Sequence, residues 1–292
     1  MNKKGLLWVG LGVVGGAIAI FFTGQAVASQ MAAKKVDQLV ADAAEFVDVD
    51  YQKVQASLLG QGTKVKNVVI SPVGSEDQYK VDEIVLYQYD EKDTVPTHLK
   101  MAVNGMHLAV ADMGANAAVF KELGYDKEIA MNFSTDYQYK AEDGLIQVKE
   151  FKLGADRVGD LAVDFQLANV DLSQEAVAAM PMSLLSMTFQ NASITYRDDS
   201  FLEKMFEQAA AAKKVSVAEF KKEAIASLKQ DPDMIKALSE EQRQEIEKFI
   251  NSPEKFAISM SPDQPVPFTS LMGIANNPSA VTELLSLKFQ AN

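Results

Sequence analysis

Residues Ile129–Tyr139 read IAMNFSTDYQY, and their side chains alternate between two kinds. The odd positions carry Ile, Met, Phe, Thr, Tyr and Tyr, whereas Asn, Ser, Asp and Gln fill the even positions from 132 onward. Successive side chains of a strand point to opposite faces, so this period of two predicts a β-strand with one buried face. Asp143-Gly144 follows closely and favours a tight hairpin turn into the next strand.

The period of two continues in both directions and predicts a long antiparallel meander over residues 49–198. Leu161, Val163, Phe165 and Leu167, for example, alternate with Asp164 and Gln166 in a second clear strand. Further strands are predicted at 49–58, 64–71, 79–89, 98–110 and 184–196, with short helices at 115–123 and 173–180.

The last part of the chain, 199–292, carries the pattern of amphipathic helices. Three capping boxes, each predicted to begin a helix, are Ser200-x-x-Glu203, Ser216-x-x-Glu219 and Ser239-x-x-Gln242. Short strands are expected again near 256–260 and 287–290. A sheet with one apolar face must be covered, so we predict an α+β fold in which C-terminal helices of the same domain partly cover a twisted antiparallel meander.

The N-terminus predicts a membrane anchor. Lys3 and Lys4 precede an uncharged apolar run from Leu6 to Phe22, and the positive-inside bias keeps those lysines in the cytoplasm. We therefore expect a bacterial inner-membrane protein with one span and a periplasmic C-terminal domain. Ala26-Val-Ala28 is also a cleavage pattern, so residues 1–28 form either an uncleaved anchor or a signal peptide cut before Ser29. A helical stalk is predicted at 29–48.

Composition excludes several classes of function. The net charge is −12 and the sequence pI is about 4.7, whereas nucleic-acid binding requires a basic face. The chain has no cysteine, so disulfides, thiolate metal sites and cysteine nucleophiles are excluded. We predict neither a nucleic-acid partner nor a cofactor.

No sequence motif indicates a particular catalytic or metal-binding chemistry. The two histidines, His98 and His107, fall in one predicted strand, and neither a G-x-S-x-G nor an H-E-x-x-H pattern accompanies them. We therefore interpret both as structural and predict neither a catalytic nor a metal site. A hydrolase would require one of these histidines to lie beside a serine and a carboxylate.

The predicted strands at 79–110 carry apolar residues at both odd and even positions, so both of their faces are apolar, which indicates a binding surface. We predict a hydrophobic groove there, formed by Leu86, Met101, Val103 and Met106. The leading hypothesis is a non-enzymatic protein of the cell envelope that binds an apolar ligand, such as lipid, on its sheet. The alternative is an envelope scaffold or regulatory protein that binds another envelope protein.

Several segments together resemble a known family. They are the lysine-started anchor ending in Thr23-Gly24, ELGY (122–125), DGLIQV (143–148), VGDL (158–161), YRDDSFLE (196–203) and PDQPVP (262–267). The chain is similar in these segments to the YdgA-like proteins, single-anchor periplasmic proteins of Gram-negative bacteria. In layout it is more distantly similar to the AsmA-like proteins, whose sheets form lipid-carrying grooves. The YdgA-like family has no settled function, so the resemblance implies a periplasmic location and offers no catalytic residues.

Overall fold

A computed structural model describes residues 47–56, 62–75, 77–92, 95–125, 127–173 and 183–292, together with the isolated residues 37, 40, 44 and 176. The chain divides into two compact units, residues 1–136 and 137–292. The predicted anchor at 1–28 and nearly all of the predicted stalk lie outside the described residues. Within the described residues, no helix is both long and apolar enough to cross a bilayer.

Among the described residues, eleven strands form one antiparallel sheet and several helices follow in the C-terminal part, which confirms the α+β class and the antiparallel sheet. The bounds are β1 Val47–Ala56, β2 Thr63–Pro72, β3 Tyr79–Lys92, β4 Val95–Ala109, β5 Glu128–Lys140, β6 Leu145–Ala155, β7 Gly159–Ala168, β8 Thr188–Asp198, β9 Lys255–Met260, β10 Val266–Pro267 and β11 Lys288–Ala291. Neighbouring strands follow one another in chain order from β1 to β9, with β11 beside β9 and the short β10 beside β8.

The helices lie mostly after β8, as the sequence predicts. They are α1 Ala117–Glu122, α2 Phe201–Lys213, α3 Val217–Gln230, α4 Pro232–Ala237, α5 Glu240–Asn251, α6 Phe268–Ile274 and α7 Pro278–Leu284. Three short 3₁₀ segments occupy Val110–Asn116, Ala141–Asp143 and Leu184–Ser186. The predicted helix at 173–180 falls almost entirely outside the described residues.

The predicted strand at Ile129–Tyr139 forms as part of β5. Ile129, Phe133 and Thr135 are buried in β5, whereas the even positions between them are half-buried. The predicted Asp143-Gly144 turn also forms, because the 3₁₀ turn after β5 ends with Gly144 at a φ of +55°, which favours glycine. These residues therefore specify the β5–β6 hairpin locally.

In the unit of residues 1–136, strands β3 and β4 are buried on both faces. The adjacent residues Ile84 and Val85 of β3 are only 2% and 1% exposed. Met101, Ala102 and Val103 are likewise three consecutive buried residues of β4. Because adjacent strand residues point to opposite faces, both faces of this part of the sheet are covered.

In the unit of residues 137–292, helices cover one apolar face of the sheet. Helix α5 is fixed on β11, because Gln242 Nε2 donates to the Leu287 carbonyl at 2.7 Å and Glu245 accepts the Ala291 N–H at 2.8 Å. Phe249 of α5 then lies 6.2 Å from the ring of Tyr196 on β8. Aromatic side chains thus form the contact between α5 and the sheet.

Two local predictions are wrong. Ser200 makes no helix cap, because its hydroxyl donates to the Arg157 carbonyl, and Asp198 Oδ1 instead accepts the Leu202 N–H at 2.9 Å. The strand predicted to begin at residue 184 begins only at Thr188. A hydrogen bond of 2.7 Å from Ser186 Oγ to the Ser183 carbonyl closes a 3₁₀ turn before it. The box at Ser239 and Gln242, in contrast, forms in full.

Candidate functional site

One face of β7 is apolar along its whole length. Leu161, Val163, Phe165 and Leu167 are two residues apart and so share this face. Phe165 and Leu167 pack against a buried cluster that includes Phe189. This end of the face is covered by α6 and α7, whose Phe268, Leu271, Val281 and Leu284 belong to the same packing.

A β-bulge adds part of β6 to the same face. Val148 pairs with Phe165, whereas Phe151 pairs with Val163, so β6 has one residue more than β7 between the two pairs. The extra residue shifts the alternation of β6. Phe151 and Leu153 therefore lie on the apolar face with Leu161, to which Leu153 is paired. Plain alternation from Val148 would place Phe151 and Leu153 on the other face.

At the Leu161 end of β7, the helical cover by α5 reaches β8 but leaves Leu161 exposed. Tyr196 of β8 lies beneath Phe249 of α5, and the residue paired with Tyr196 on the next strand is Leu161. Leu161 is 42% exposed, while Phe151 and Leu153 are 44% and 38% exposed. We call these three residues, Phe151, Leu153 and Leu161, the β6–β7 strip. It is an exposed continuation of the face that the helices cover elsewhere.

Charged side chains lie on the other face of the same strands. Lys152 Nζ is 2.9 Å from Asp160 Oδ2. These two residues are adjacent in sequence to Leu153 and Leu161, so their side chains point to the opposite face of the sheet. On the strip's own face, the registers of β7 and β8 place Ile194 beside Val163 and Ala192 beside Phe165. The strip is therefore uncharged and borders an apolar surface.

The structure separates the four residues predicted to form a groove. Leu86 pairs with Met101 and Val103 pairs with Ile84, so Leu86, Met101 and Val103 share one face of β3 and β4. Met106 is three residues beyond Val103 and lies on the opposite face. Met101, Val103 and Met106 are buried, and Leu86 is half-buried. Their part in ligand binding stays a prediction.

His107 lies between two carboxylates on neighbouring strands. Its Nδ1 is 2.6 Å from Glu128 Oε1 on β5, and its Nε2 is 3.0 Å from Asp82 Oδ1 on β3. Two acceptors require protons on both ring nitrogens, so this geometry is that of an imidazolium. The hydrogen bond to Asp82 raises the pKa of His107, burial opposes this, and the hydrogen bond to Glu128 raises the pKa further.

Gly105 makes room for this arrangement. Its φ is +64°, and a Cβ added there would lie 2.2 Å from Asp82 Oδ2. The Gly105 N–H donates to Asn132 Oδ1 at 2.9 Å, which fixes this part of β4 to β5. A cavity of about 290 Å³ adjoins the cluster and is lined by Asn67, Val68, Val69, Lys80, Val81, Asp82, His107 and Glu128. The cross-strand contact between Asp82 and His107 has no sequence motif and was missed by the sequence analysis.

His98 has different partners. Its Nε2 is 3.3 Å from Asp136 Oδ1, and Lys100 Nζ is 3.0 Å from the other carboxylate oxygen. Burial of Asp136 favours the neutral acid, but the hydrogen bonds and charges of Lys100 and His98 outweigh it and lower the pKa of Asp136. Both histidines thus lie within hydrogen-bond distance of carboxylates. Among the described residues, no group of three or more His, Cys, Asp or Glu side chains is arranged to hold a metal ion.

Comparison with known proteins matches part of the chain to a protein family. A family model described as "Uncharacterized protein" matches residues 152–292, which lie within the second unit and include Leu153 and Leu161 of the strip. No curated protein matches the chain.

Proposed function

We propose that this chain is a membrane-anchored, periplasmic, non-enzymatic protein that binds an apolar ligand, such as lipid, on its sheet. The observation that carries the proposal is the β6–β7 strip, which continues a helix-covered apolar face into solvent. The location follows from the sequence, because Lys3 and Lys4 precede the apolar run at 6–22. An anchored domain with an exposed apolar site is suited to contact lipid or another component of the envelope.

The strip supplies a modest apolar area. Taking roughly 200 Å² for a large apolar side chain, an exposure of about two fifths in three side chains leaves roughly 240 Å². At about 25 cal/mol per Å² of apolar surface removed from water, complete burial contributes about 6 kcal/mol, against an association cost of roughly 4–15 kcal/mol. The strip therefore contributes part of the binding free energy, and the ligand must make further contacts.

The two carboxylate contacts of His107 support a non-enzymatic role. A general base requires an unprotonated ring nitrogen, whereas both nitrogens of His107 face carboxylate oxygens. His98 in turn shares Asp136 with Lys100. In both clusters the histidine is engaged by charged partners rather than by a nucleophile.

A second candidate function is an envelope scaffold that binds another protein. It is favoured by the first unit, in which Ile84 and Val85 are both buried and β3 is covered on both faces. A sheet covered on both faces offers its outer surface and loops to a partner rather than a groove. This candidate predicts a partner protein instead of a bound lipid.

The two candidates are separated by lipid retention. The full-length protein is purified in detergent, its lipid is extracted, and the lipid bound per protein is measured by mass spectrometry. Leu161→Asp places a charge in the strip, whereas Ala162→Asp places it on the opposite face, beside Lys152. We expect Leu161→Asp to lower lipid retention about ten-fold, the equivalent of roughly 1.4 kcal/mol, and Ala162→Asp to leave it unchanged.

Lipid around the anchor is common to both variants, so the comparison isolates the sheet. Far-UV circular dichroism checks that each variant is folded. Equal lipid retention in the two variants would contradict the ligand proposal. Retention of one envelope protein by both would then support the scaffold.

A further inference from the structure

We infer that His107 is a pH-sensitive switch at the base of the connection between β4 and β5, where its doubly protonated ring holds Glu128 and its neutral ring releases Glu128 into the adjoining cavity. The inference goes beyond the proposed function and does not depend on what the sheet binds. It rests on the position of His107, on the chemistry of its ring and on the space beside Glu128.

Two contacts close the connection between β4 and β5 at its base. The Val110 N–H donates to the Lys127 carbonyl at 2.9 Å, and His107 Nδ1 lies 2.6 Å from Glu128 Oε1. Val110 is completely buried, whereas the Glu128 side chain is 56% exposed. The base is therefore closed by a buried backbone hydrogen bond and by a side-chain contact that solvent protons can reach.

Loss of one proton must break one of the two contacts of the His107 ring. A neutral imidazole has a single N–H, and its other nitrogen presents a lone pair. A proton kept on Nε2 preserves the 3.0 Å contact with Asp82, which makes the largest contribution to the raised pKa of His107. The lone pair of Nδ1 then faces Glu128 Oε1 at 2.6 Å with no proton between them, so Glu128 is the carboxylate that leaves.

The charged groups that face the ring come from the strands on either side of it. Strand β3 presents Asp82 and also Lys80, which is paired with the histidine, and β5 presents Glu128. Strand β2 contributes only uncharged side chains to the cavity wall. Asp112, in the 3₁₀ segment after β4, instead lies near Tyr79, which is out of phase with Lys80. An imidazolium balances the charges of this cluster, whereas a neutral ring leaves a negative charge in excess.

The released side chain has space and a new partner. The cavity of about 290 Å³ is lined by Glu128 and Lys80, so the carboxylate can turn from the imidazole ring toward an ammonium group. Asp82, in contrast, occupies the space over Gly105, where an added Cβ would lie 2.2 Å from its Oδ2. One proton thus chooses between two arrangements of the Glu128 side chain.

Release of Glu128 should loosen the base of the connection without unfolding the rest of it. Leu123 and Tyr125 are 5% and 1% exposed, and the ring of Phe120 lies 5.8 Å from that of Tyr125. These contacts do not involve His107. We therefore expect the hydrogen bond between Val110 and Lys127 to open more often while the packed part of the connection stays in place.

NMR of the histidine rings locates the proton directly. The full-length protein is labelled with ¹⁵N in histidine alone and kept in detergent, and His98→Gln assigns the two rings because the chain has two histidines. The ¹⁵N shifts distinguish the two neutral tautomers. We expect the neutral His107 ring to carry its proton on Nε2. A proton on Nδ1 would mean that Glu128 is retained, and it would overturn the inference.

Amide hydrogen exchange measures the opening of the base. Exchange in the segment 109–113 is followed by mass spectrometry about one pH unit below and about one unit above the titration midpoint of His107, with exposure times scaled for the intrinsic exchange rate. We expect protection of this segment to fall about three-fold at the higher pH, as suits a partly exposed ion pair. A peptide from β8 serves as the reference and should not change.

Two variants separate the switch from an ordinary structural contact. The amide of Glu128→Gln can accept from a protonated Nδ1 or donate to its lone pair, so the pH dependence of exchange should disappear. His107→Gln removes the titrating ring and should abolish the pH dependence as well. Far-UV circular dichroism checks the fold of both variants.

Persistence of the three-fold change in folded Glu128→Gln would contradict the inference, as would exchange in the native protein that does not follow the titration of His107. The tautomer and the exchange of the native protein require no change within the cluster. They therefore decide the question even where a variant does not fold.

Discussion

Replacement of Gly105 by alanine tests whether the glycine is needed for the ion pair between Asp82 and His107. Two costs are expected. Alanine at a φ of +64° costs roughly 1–2 kcal/mol, because the Cβ crowds the backbone in the left-handed region. The added Cβ would also lie 2.2 Å from Asp82 Oδ2, so the carboxylate must move away from His107.

The second cost is modest because the pair is partly exposed. The Asp82 side chain is 66% exposed, and exposed ion pairs contribute roughly 0.2–1 kcal/mol. The free energy of unfolding should therefore fall by roughly 1.2–3 kcal/mol in Gly105→Ala, the sum of the two costs. In an Asp82→Ala background, which keeps only the Cβ of residue 82 at 3.0 Å from the added atom, the cost of the same substitution should approach the backbone part, about 1–2 kcal/mol.

Gly124 provides a matched control. It has a φ of +80°, and a Cβ added there meets no atom within 4 Å, so Gly124→Ala carries the backbone cost alone. The assay is urea unfolding of the full-length protein followed by far-UV circular dichroism, with the free energy obtained by linear extrapolation. Equal losses in Gly105→Ala and Gly124→Ala would refute the argument that Asp82 occupies the space above Gly105.

Three further outcomes are expected. Because the pKa of His107 is raised in the folded protein, its imidazolium stabilises the fold fully below pH about 6.5, and this stabilisation is lost as the pH rises through the folded pKa. The unfolding free energy, measured by urea unfolding at a series of pH values, should therefore decline over that range, and His107→Gln should flatten the decline. Phe133→Ala should lower the unfolding free energy by roughly 3–5 kcal/mol, whereas Ser134→Ala on the other phase of β5 should lower it by less than Phe133→Ala does; equal effects would contradict the alternation. Ser239→Ala should cost about 1 kcal/mol through the lost helix cap, and an unchanged urea midpoint would contradict this.

The features that the sequence predicted well depend on neighbours along the chain. The alternation in Ile129–Tyr139 and the turn at Gly144 require only local geometry, and both formed. The box of Ser239 and Gln242 formed for the same reason. The predicted helix cap at Ser200 does not form, because the Ser200 hydroxyl donates instead to the carbonyl of Arg157, which is 43 residues away in the chain. A local pattern cannot include such a competitor.

The candidate sites were harder to predict because they depend on register. The bulge in β6 brings Phe151 onto the face of Leu161, and only the pairing of β6 with β7 reveals it. The partners of His107 come from β3 and β5, 25 and 21 residues away. Register also decides that Leu86, Met101 and Val103 share a face while Met106 is out of phase with Val103.

The exposure of the strip follows from the width of its cover. A helix with its side chains is roughly 10 Å across, whereas neighbouring strands are about 4.8 Å apart, so one helix covers about two strands. Helix α5 contacts Tyr196 of β8 and, through Phe249, Phe256 of β9 at 5.1 Å, which leaves β7 and β6 beyond its reach. Leu161 and Phe165 have the same apolar character and the same phase, yet only Phe165 lies beneath a helix. The hydrophobic pattern therefore marks the face, and the number and placement of helices determine which part of that face remains available to a ligand.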